Sequence, residues 1–124
     1  MAIEKLKTLI HIYRGDYEPY SFTFLEQNND NETTNLNLSE RFDDIRLEIR
    51  TKNKEDSTLI KQVSLDNGIE LTGQNQNIIN VDLTTTAKGG LYYFDMRFKL
   101  KDENRWMTFI VGNIIIESNK TKTS

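Results

Sequence analysis

The stretch Tyr92–Leu100, written YYFDMRFKL, decides the fold class of this chain. Every second residue in it is apolar and three of the four residues between them are charged. A period of two is the signature of a β-strand that buries one face and exposes the other. The stretch therefore predicts a long strand lying on a hydrophobic core, with Tyr93 on the face that points away from that core.

The same alternation recurs along the chain. It is found in residues 20–24, 45–50 and 79–83, and polar or glycine-containing loops separate these runs. Alanine occurs only at positions 2 and 87, which makes long helices improbable on propensity alone. We predict about seven to nine short strands packed as two antiparallel sheets, with at most a short helical turn at Thr84–Ala87.

Composition sets the remaining bounds. The chain has 124 residues, 16 basic and 19 acidic residues and no cysteine. This length predicts one domain over residues 1–117, whose residues 1–7 form an N-terminal arm or edge strand. A polar tail over residues 118–124 follows the domain. The interspersed charges predict no nucleic-acid partner, and the lack of a long apolar run predicts no membrane partner. The first residues do not read as a secretion signal, so we expect synthesis in the cytoplasm.

Catalytic and metal-binding patterns are not recognisable. His11 is the only histidine and there are no thiols, so neither a zinc site nor a Ser-His-Asp triad can be assembled from familiar spacings. The oxygen-rich loop Asn28–Glu32 offers calcium ligands without the spacing of an EF-hand. We predict no catalytic residue, no cofactor-binding residue and no metal ligand, and we expect that the protein is not an enzyme.

The order of several short stretches resembles a known family. In chain order these stretches are RGD at 14–16, YSFTF at 20–24, DNGIELTGQNQNIINVDLT at 66–84, GGLYYFDMRFKL at 89–100 and FIVGNIIIE at 109–117. Together they resemble the small immunoglobulin-like β-sandwich of bacteriophage virion proteins, such as the N-terminal domain of baseplate upper proteins. The resemblance covers about residues 6–117 and implies an all-β, immunoglobulin-like antiparallel sandwich.

The resemblance also bears on the tripeptide Arg14-Gly15-Asp16, which integrins recognise in other proteins. In the family pattern these three residues form a structural turn after the first strand, and glycine suits such a turn because it adopts positive φ freely. We therefore expect a mechanical role and no integrin binding. The resemblance further implies a virion location and other virion proteins as partners, in a symmetric assembly with multiple copies.

Two kinds of function stay open at this point, because a third, a hydrolase, needs a convergent acid–base constellation that the sequence does not offer. The first is a non-enzymatic accessory component of a phage tail, baseplate or neck, with capsid decoration or a head-fibre role as its close alternative. A more distant alternative is a carbohydrate-binding module, since β-sandwiches can present aromatic side chains to sugars. The candidate partner contacts are residues expected to point outward or to lie in the tail, namely Tyr93, Trp106, Ile115, Lys120 and Lys122.

Overall fold

A computed structural model describes residues 6–27, 30, 32–52 and 57–118. Within these ranges the chain forms ten strands and one four-residue helix. In order they are β1 (Leu6–Tyr13), β2 (Pro19–Thr23), β3 (Leu25–Gln27), β4 (Thr33–Asn35), α1 (Leu38–Arg41), β5 (Phe42–Arg50), β6 (Leu59–Leu65), β7 (Gly68–Thr72), β8 (Ile78–Asp82), β9 (Gly90–Leu100) and β10 (Trp106–Glu117).

Eight of the ten strands form one curled sheet. Their order across the sheet is β1, β10, β9, β5, β6, β7, β8 and β2, while β3 and β4 make a separate two-stranded ribbon. The all-β prediction is confirmed. The prediction of purely antiparallel sheets is wrong, because β1 runs parallel to β10 and β6 runs parallel to β7. The first of these pairs joins the two ends of the chain, where no hairpin dictates the direction of pairing.

The parallel pair of β6 and β7 is a corner in the sheet. Only two residue pairs join these strands, and Ser64 and Asn67 exchange backbone hydrogen bonds of 3.0 and 2.9 Å across the bend. Asp66 and Gly68 both have positive φ there, at 65° and 100°. A Cβ atom at position 68 would lie only 2.5 Å from Cγ1 of Val63, so the Val63 side chain occupies the space that a side chain there would need. The turn signal Asp-Asn-Gly thus redirects the sheet rather than ending it.

The core is built from both sides of this corner. The side chains that are buried in it come from β1, β2, β5, β6, β7, β8, β9 and β10 and from the α1 region. The rings of Phe42, Phe98 and Phe109 contact one another in it, and the partly buried Phe24 ring packs against Phe98. The centroids are 4.9 to 5.9 Å apart in tilted and edge-to-face arrangements. Such arrangements are the favourable ones for aromatic pairs. The alternation in Tyr92–Leu100 therefore places its buried members as predicted.

The helix forms at a different place from the predicted helical turn. Asn37 Oδ1 accepts hydrogen bonds from the N–H groups of Ser39 and Glu40, at 3.1 and 3.3 Å, and so caps α1. Residues Thr84–Ala87 are irregular instead. Their carbonyl groups accept hydrogen bonds from the turn that follows β1, so they are not available for helical pairing.

Gly112 sets the closeness of the first and last strands. It lies opposite Thr8 in the pairing of β1 with β10. A Cβ atom at this position would overlap the carbonyl oxygen of Thr8 and lie 3.0 Å from the Phe94 ring. Only a residue without a side chain allows this approach, so β1 depends on a glycine in its neighbour for its place in the sheet.

Replacing Gly112 by alanine is expected to displace β1 and to destabilise the domain by at least about 2 kcal/mol, because backbone and not a flexible side chain blocks the new methyl group. Urea unfolding followed by circular dichroism measures this cost. Val111→Ala is the matched control, since it lies next to Gly112 on the half-exposed face and leaves the path of β1 open. Equal costs for the two variants would contradict the steric explanation.

Candidate partner-binding face

The strands β1, β10, β9 and β5 present one continuous surface that points away from the core, which we call the outer face. It arises because the alternate residues of these strands are buried, leaving their neighbours on the opposite side. Cross-strand register places Leu9 beside Asn113 and Asn113 beside Tyr93, and it places His11 beside Ile115 and Ile115 beside Leu91. The outer face thus has defined rows of side chains.

One end of the outer face is apolar. We call it the apolar patch, and its members are Leu9, Tyr13, Leu91, Tyr93 and Ile115. Leu9 is 62% exposed, Leu91 54% and Tyr13 43%, while Tyr93 and Ile115 are half-buried among them. Single exposed apolar residues are ordinary on protein surfaces, but a group of them gathered on one face is typical of an interaction site. Here the polar residues His11 and Asn113 lie among the apolar members.

His11 of β1 and Glu117 of β10 form a polar pair at the apolar patch. His11 Nε2 lies 2.5 Å from Glu117 Oε2, and the His11 ring stacks on Tyr13 with centroids 6.3 Å apart. The first contact joins β1 to β10, and the second joins two neighbouring side chains of β1. The single histidine thus has a local structural contact, and it lies beside Ile115, between Leu9 and Tyr13 of the patch.

The middle of the outer face is charged, and like charges face each other across β5 and β9. Glu48 pairs with Asp95 in the register, and Arg46 pairs with Arg97. Opposite charges meet along each strand instead, with Arg50 Nη2 3.0 Å from Glu48 and Arg97 Nη2 3.4 Å from Asp95. Directly opposed like charges destabilise a sheet, and the ion pairs within each strand act against this cost.

Asp95 carries the clearest electrostatic consequence of this arrangement. Burial beneath the neighbouring side chains raises its pKa above the ordinary value of 3.8, and the nearby Glu48 carboxylate raises it further. The positive charge of Arg97 opposes both effects without cancelling them. The Oδ1 atom of Asp95 is buried and lacks a hydrogen-bond partner within the described part of the chain.

The sequence-predicted contact residues fall at two ends of this face. Tyr93 and Ile115 belong to the apolar patch, whereas Trp106 lies at the far end with the Arg46 guanidinium 4.6 Å from its ring centroid. Trp106 pairs with Lys99, six residues along β9 from Tyr93, which corresponds to about 20 Å. The two aromatic residues therefore do not form one sugar-stacking platform. Lys120 and Lys122 lie outside the described residues, as does most of the candidate calcium loop.

Sequence reasoning missed Leu9, Tyr13 and Leu91 as members of the patch. Leu9 looks like an ordinary strand residue, and Leu91 stands just before the alternating stretch that drew attention to β9. The alternation of inward and outward positions could have found them, because each is an apolar residue at an outward position of its strand. Their convergence required the register between β1, β10 and β9, which no local pattern specifies.

The Arg14-Gly15-Asp16 segment is a turn fastened at several points. Gly15 has a φ of 80°, and its N–H donates to the carbonyl of Thr85 at 2.8 Å. Arg14 donates from its backbone N–H to Glu117 at 2.8 Å and from Nε to the carbonyl of Thr86 at 2.9 Å. The tripeptide thereby ties the end of β1 to the end of β10 and to the loop after β8, and its arginine is engaged in that contact.

A groove lies on the opposite side of the domain, over β7, β8 and the start of β2. Its volume is about 400 Å³, and it is lined by Tyr17, Pro19, Asp66, Gly68, Glu70, Asn80, Val81 and Asp82. Hydrogen bonds from the side chain and the backbone of Thr84 lower the pKa of Asp82 below 3.8. The groove therefore combines an exposed aromatic ring with an acidic floor.

Two other features are absent from the described part of the chain. Across its residues, no three His, Asp or Glu side chains are grouped so that they could hold a metal ion. None of its helical residues forms a helix that is long and apolar enough to cross a membrane.

Comparisons with known proteins do not identify a family. No family model matches the chain, and no curated protein matches it. Among solved structures, a family 123 glycoside hydrolase from Clostridium perfringens, studied for glycolipid glycan hydrolysis, is similar over 92% of this chain and 23% of that one. The sequence identity is 11% and the TM-score is 0.38, so we draw no conclusion about fold or activity from it.

Replacing Gly15 by alanine is expected to destabilise the domain by about 1 kcal/mol, because an L-residue with a side chain is strained at this φ. No atom lies within 4 Å of the added methyl group, so the cost is conformational and not steric. Gly15→Asn is the matched control, and it should cost about half as much since asparagine tolerates positive φ better. Urea unfolding measures both values, and an alanine variant as stable as the wild type would contradict this role of the turn.

Replacing Asp95 by asparagine is expected to change the pH dependence of stability. A raised pKa means that the folded state binds the proton more tightly, so wild-type stability falls as pH rises from 3.8 through the higher folded pKa. Asp95→Asn should remove this fall and gain on the wild type between pH 4 and pH 7. Urea unfolding across that range measures the difference.

Asp82→Asn is the control of opposite sign. The pKa of Asp82 is lowered, so its ionised form stabilises the fold above pH 3.8, and that stabilisation is lost as pH falls through the lower folded pKa. The Asp82 variant should therefore be less stable than the wild type at pH 7. If both variants shifted stability in the same direction at pH 7, the explanation by burial of Asp95 would be wrong.

Proposed function

We propose that this protein is a non-enzymatic structural component of a bacteriophage virion, attached by protein–protein contacts to the tail, the baseplate or the neck. The observation that carries the proposal of a protein partner is the apolar patch on the outer face. The virion context is supported by the order of sequence stretches from Arg14 to Glu117, which resembles that of small immunoglobulin-like domains in phage particles.

The chemistry of the outer face suits a protein partner better than a small ligand. The apolar patch lies on an extended sheet surface, and it is bordered by a row of half-buried charges that includes Glu48 and Arg50. An apolar centre with a charged rim is the usual composition of a specific protein interface, which covers about 800 Å² on each partner. A domain of this size can supply such an area from one face.

We also propose that the curled sheet is an immunoglobulin-like sandwich folded at the corner between β6 and β7. In this reading β1, β10, β9, β5 and β6 form one layer, and β7, β8 and β2 form the other. Support comes from the strand order and from the core that residues on both sides of the corner share. Immunoglobulin domains divide their strands between two sheets in a comparable way, with the last strands beside the third.

Two alternatives keep a specific basis. Capsid decoration or a head-fibre role uses the same fold and the same mode of attachment, and only the copy number in particles separates it from a tail or neck role. A carbohydrate-binding module is favoured by the groove, since Tyr17 is 76% exposed beside Asn80 and acidic side chains that can accept hydrogen bonds from sugar hydroxyls. A glycan screen with wild type and Tyr17→Ala tests that reading.

Quantitative mass spectrometry of purified particles tests the virion proposal directly. Hundreds of copies per particle would indicate capsid decoration, and between six and a few tens would indicate a ring in the tail, baseplate or neck. Absence of the protein from particles would refute a virion role and leave the groove as the stronger lead.

Replacing Leu91 by lysine is expected to lower incorporation into particles about tenfold or more, because a charge would be buried at the centre of the proposed interface. The fold should be preserved, since Leu91 is 54% exposed and substitutions of exposed residues usually change the free energy of unfolding little. Tyr17→Lys is the matched control on the groove side and should leave incorporation unchanged. If Tyr17→Lys blocked incorporation and Leu91→Lys did not, the contact would lie on the other side of the domain.

A further inference from the structure

The two edges of the curled sheet differ in how they are protected. The edge strand β2 has five residues and begins with Pro19, which lacks a backbone donor. The other edge strand, β1, has eight residues, contains no proline and borders only β10 among the described strands. A long edge strand of this kind is a template for pairing with another strand.

Backbone contacts at the end of β1 show which residues point to its open edge. The N–H of Arg14 donates to Glu117 of β10, whereas the N–H of Tyr13 points the other way and donates to Glu18 Oε2 at 2.7 Å. Because successive residues in a strand point their N–H and C=O groups to opposite edges, residues 7, 9 and 11 also face the open edge. Tyr13 is already engaged, since its carbonyl accepts the N–H of Asp16 at 3.2 Å.

We propose that β1 pairs antiparallel with β1 of a second copy of this chain, about a two-fold axis at Leu9. In an antiparallel pair of identical strands, the residue numbers of the two facing residues add up to the same sum at every position. A two-fold axis passes through the residue that faces its own copy. The sum 18 pairs residue 9 with residue 9 and residue 7 with residue 11. This register employs all three open backbone positions and leaves Tyr13 outside the pairing.

The side chains favour a second copy as the occupant. Leu9 points to the outer face and is 62% exposed, and in this register it lies directly beside Leu9 of the second copy. The apolar patches of the two copies would then meet edge to edge and form one larger apolar surface. Such a self-complementary contact is what a two-fold dimer requires, because the same residues supply both halves. The proposal goes beyond attachment to a virion partner and does not depend on it.

The absence of cysteine makes disulfide trapping a clean test. In the proposed register the Cα atoms of the two Leu9 residues are about 5.5 Å apart, which lies within the range a disulfide spans. Leu9→Cys is therefore expected to form a covalent dimer rapidly under mild oxidation of the full chain. His11→Cys is the matched control, because the two copies of residue 11 would be about 14 Å apart and should not be linked.

Measurements on the unmodified protein decide the outcome if a variant fails to fold. Sedimentation equilibrium should show a concentration-dependent dimer. Amide exchange at Leu9 and His11 should slow about tenfold from dilute to concentrated protein, while the amides of Ile10 and Ile12, which face β10, should not change.

Three results would overturn the proposal. One is a monomer at all concentrations, which would leave β1 as a free edge or as the site of a different partner. The second is a dimer in which the Leu9 and His11 amides exchange as fast as in the monomer, since the contact would then lie elsewhere. The third is equal trapping of the two cysteine variants, which would indicate random collision.

Discussion

The parallel contact between the first and last strands is the constraint on which the rest of the outer face depends. β1 borders only β10 among the described strands, and Gly112 allows the backbone of Thr8 to approach without a side chain between them. This contact places Leu9 and Tyr13 in the rows on either side of Ile115 and completes the apolar patch. It also places the turn at Gly15 where the loop after β8 can hold it.

The outer face joins two surfaces of different character on one set of strands. At one end, apolar side chains stand exposed without a described neighbour to cover them. In the middle, half-buried charges face like charges across β5 and β9, with Glu48 opposite Asp95. Conflicts of this kind are tolerated when a surface is selected for something besides stability. Burial raises the pKa of Asp95 there, and the facing Glu48 carboxylate adds to the rise.

The Arg-Gly-Asp tripeptide illustrates how context decides the meaning of a short motif. In this fold the Arg14 side chain donates to a backbone carbonyl of the same chain, and the Gly15 N–H does the same. A loop that presents this tripeptide to a receptor would need the arginine and the aspartate projecting together from a free tip. Here the segment connects three parts of one domain, and its glycine supplies the backbone conformation that the connection requires.

The sequence by itself determined the class of structure and the inward and outward positions of its strands. Alternation with a period of two is a local property, so residues such as Phe94 and Tyr93 could be placed on opposite faces without any knowledge of neighbours. The position of the helix was not predicted. Its cap is local, because Asn37 bonds to residues two and three positions later, whereas the segment at Thr84 that was expected to be helical is hydrogen-bonded to a distant turn.

Only the tertiary structure decided which outward residues meet. Strand order, the parallel pairing of β1 with β10 and the corner between β6 and β7 are set by contacts between residues far apart in the chain. Leu91 lies beside Ile115, and Leu9 beside Asn113 in the next row, solely because of that register. Periodicity fixes the face on which a side chain lies, but it carries no information about the strand beside it, and that is why the patch and the open edge of β1 appear only in the folded chain.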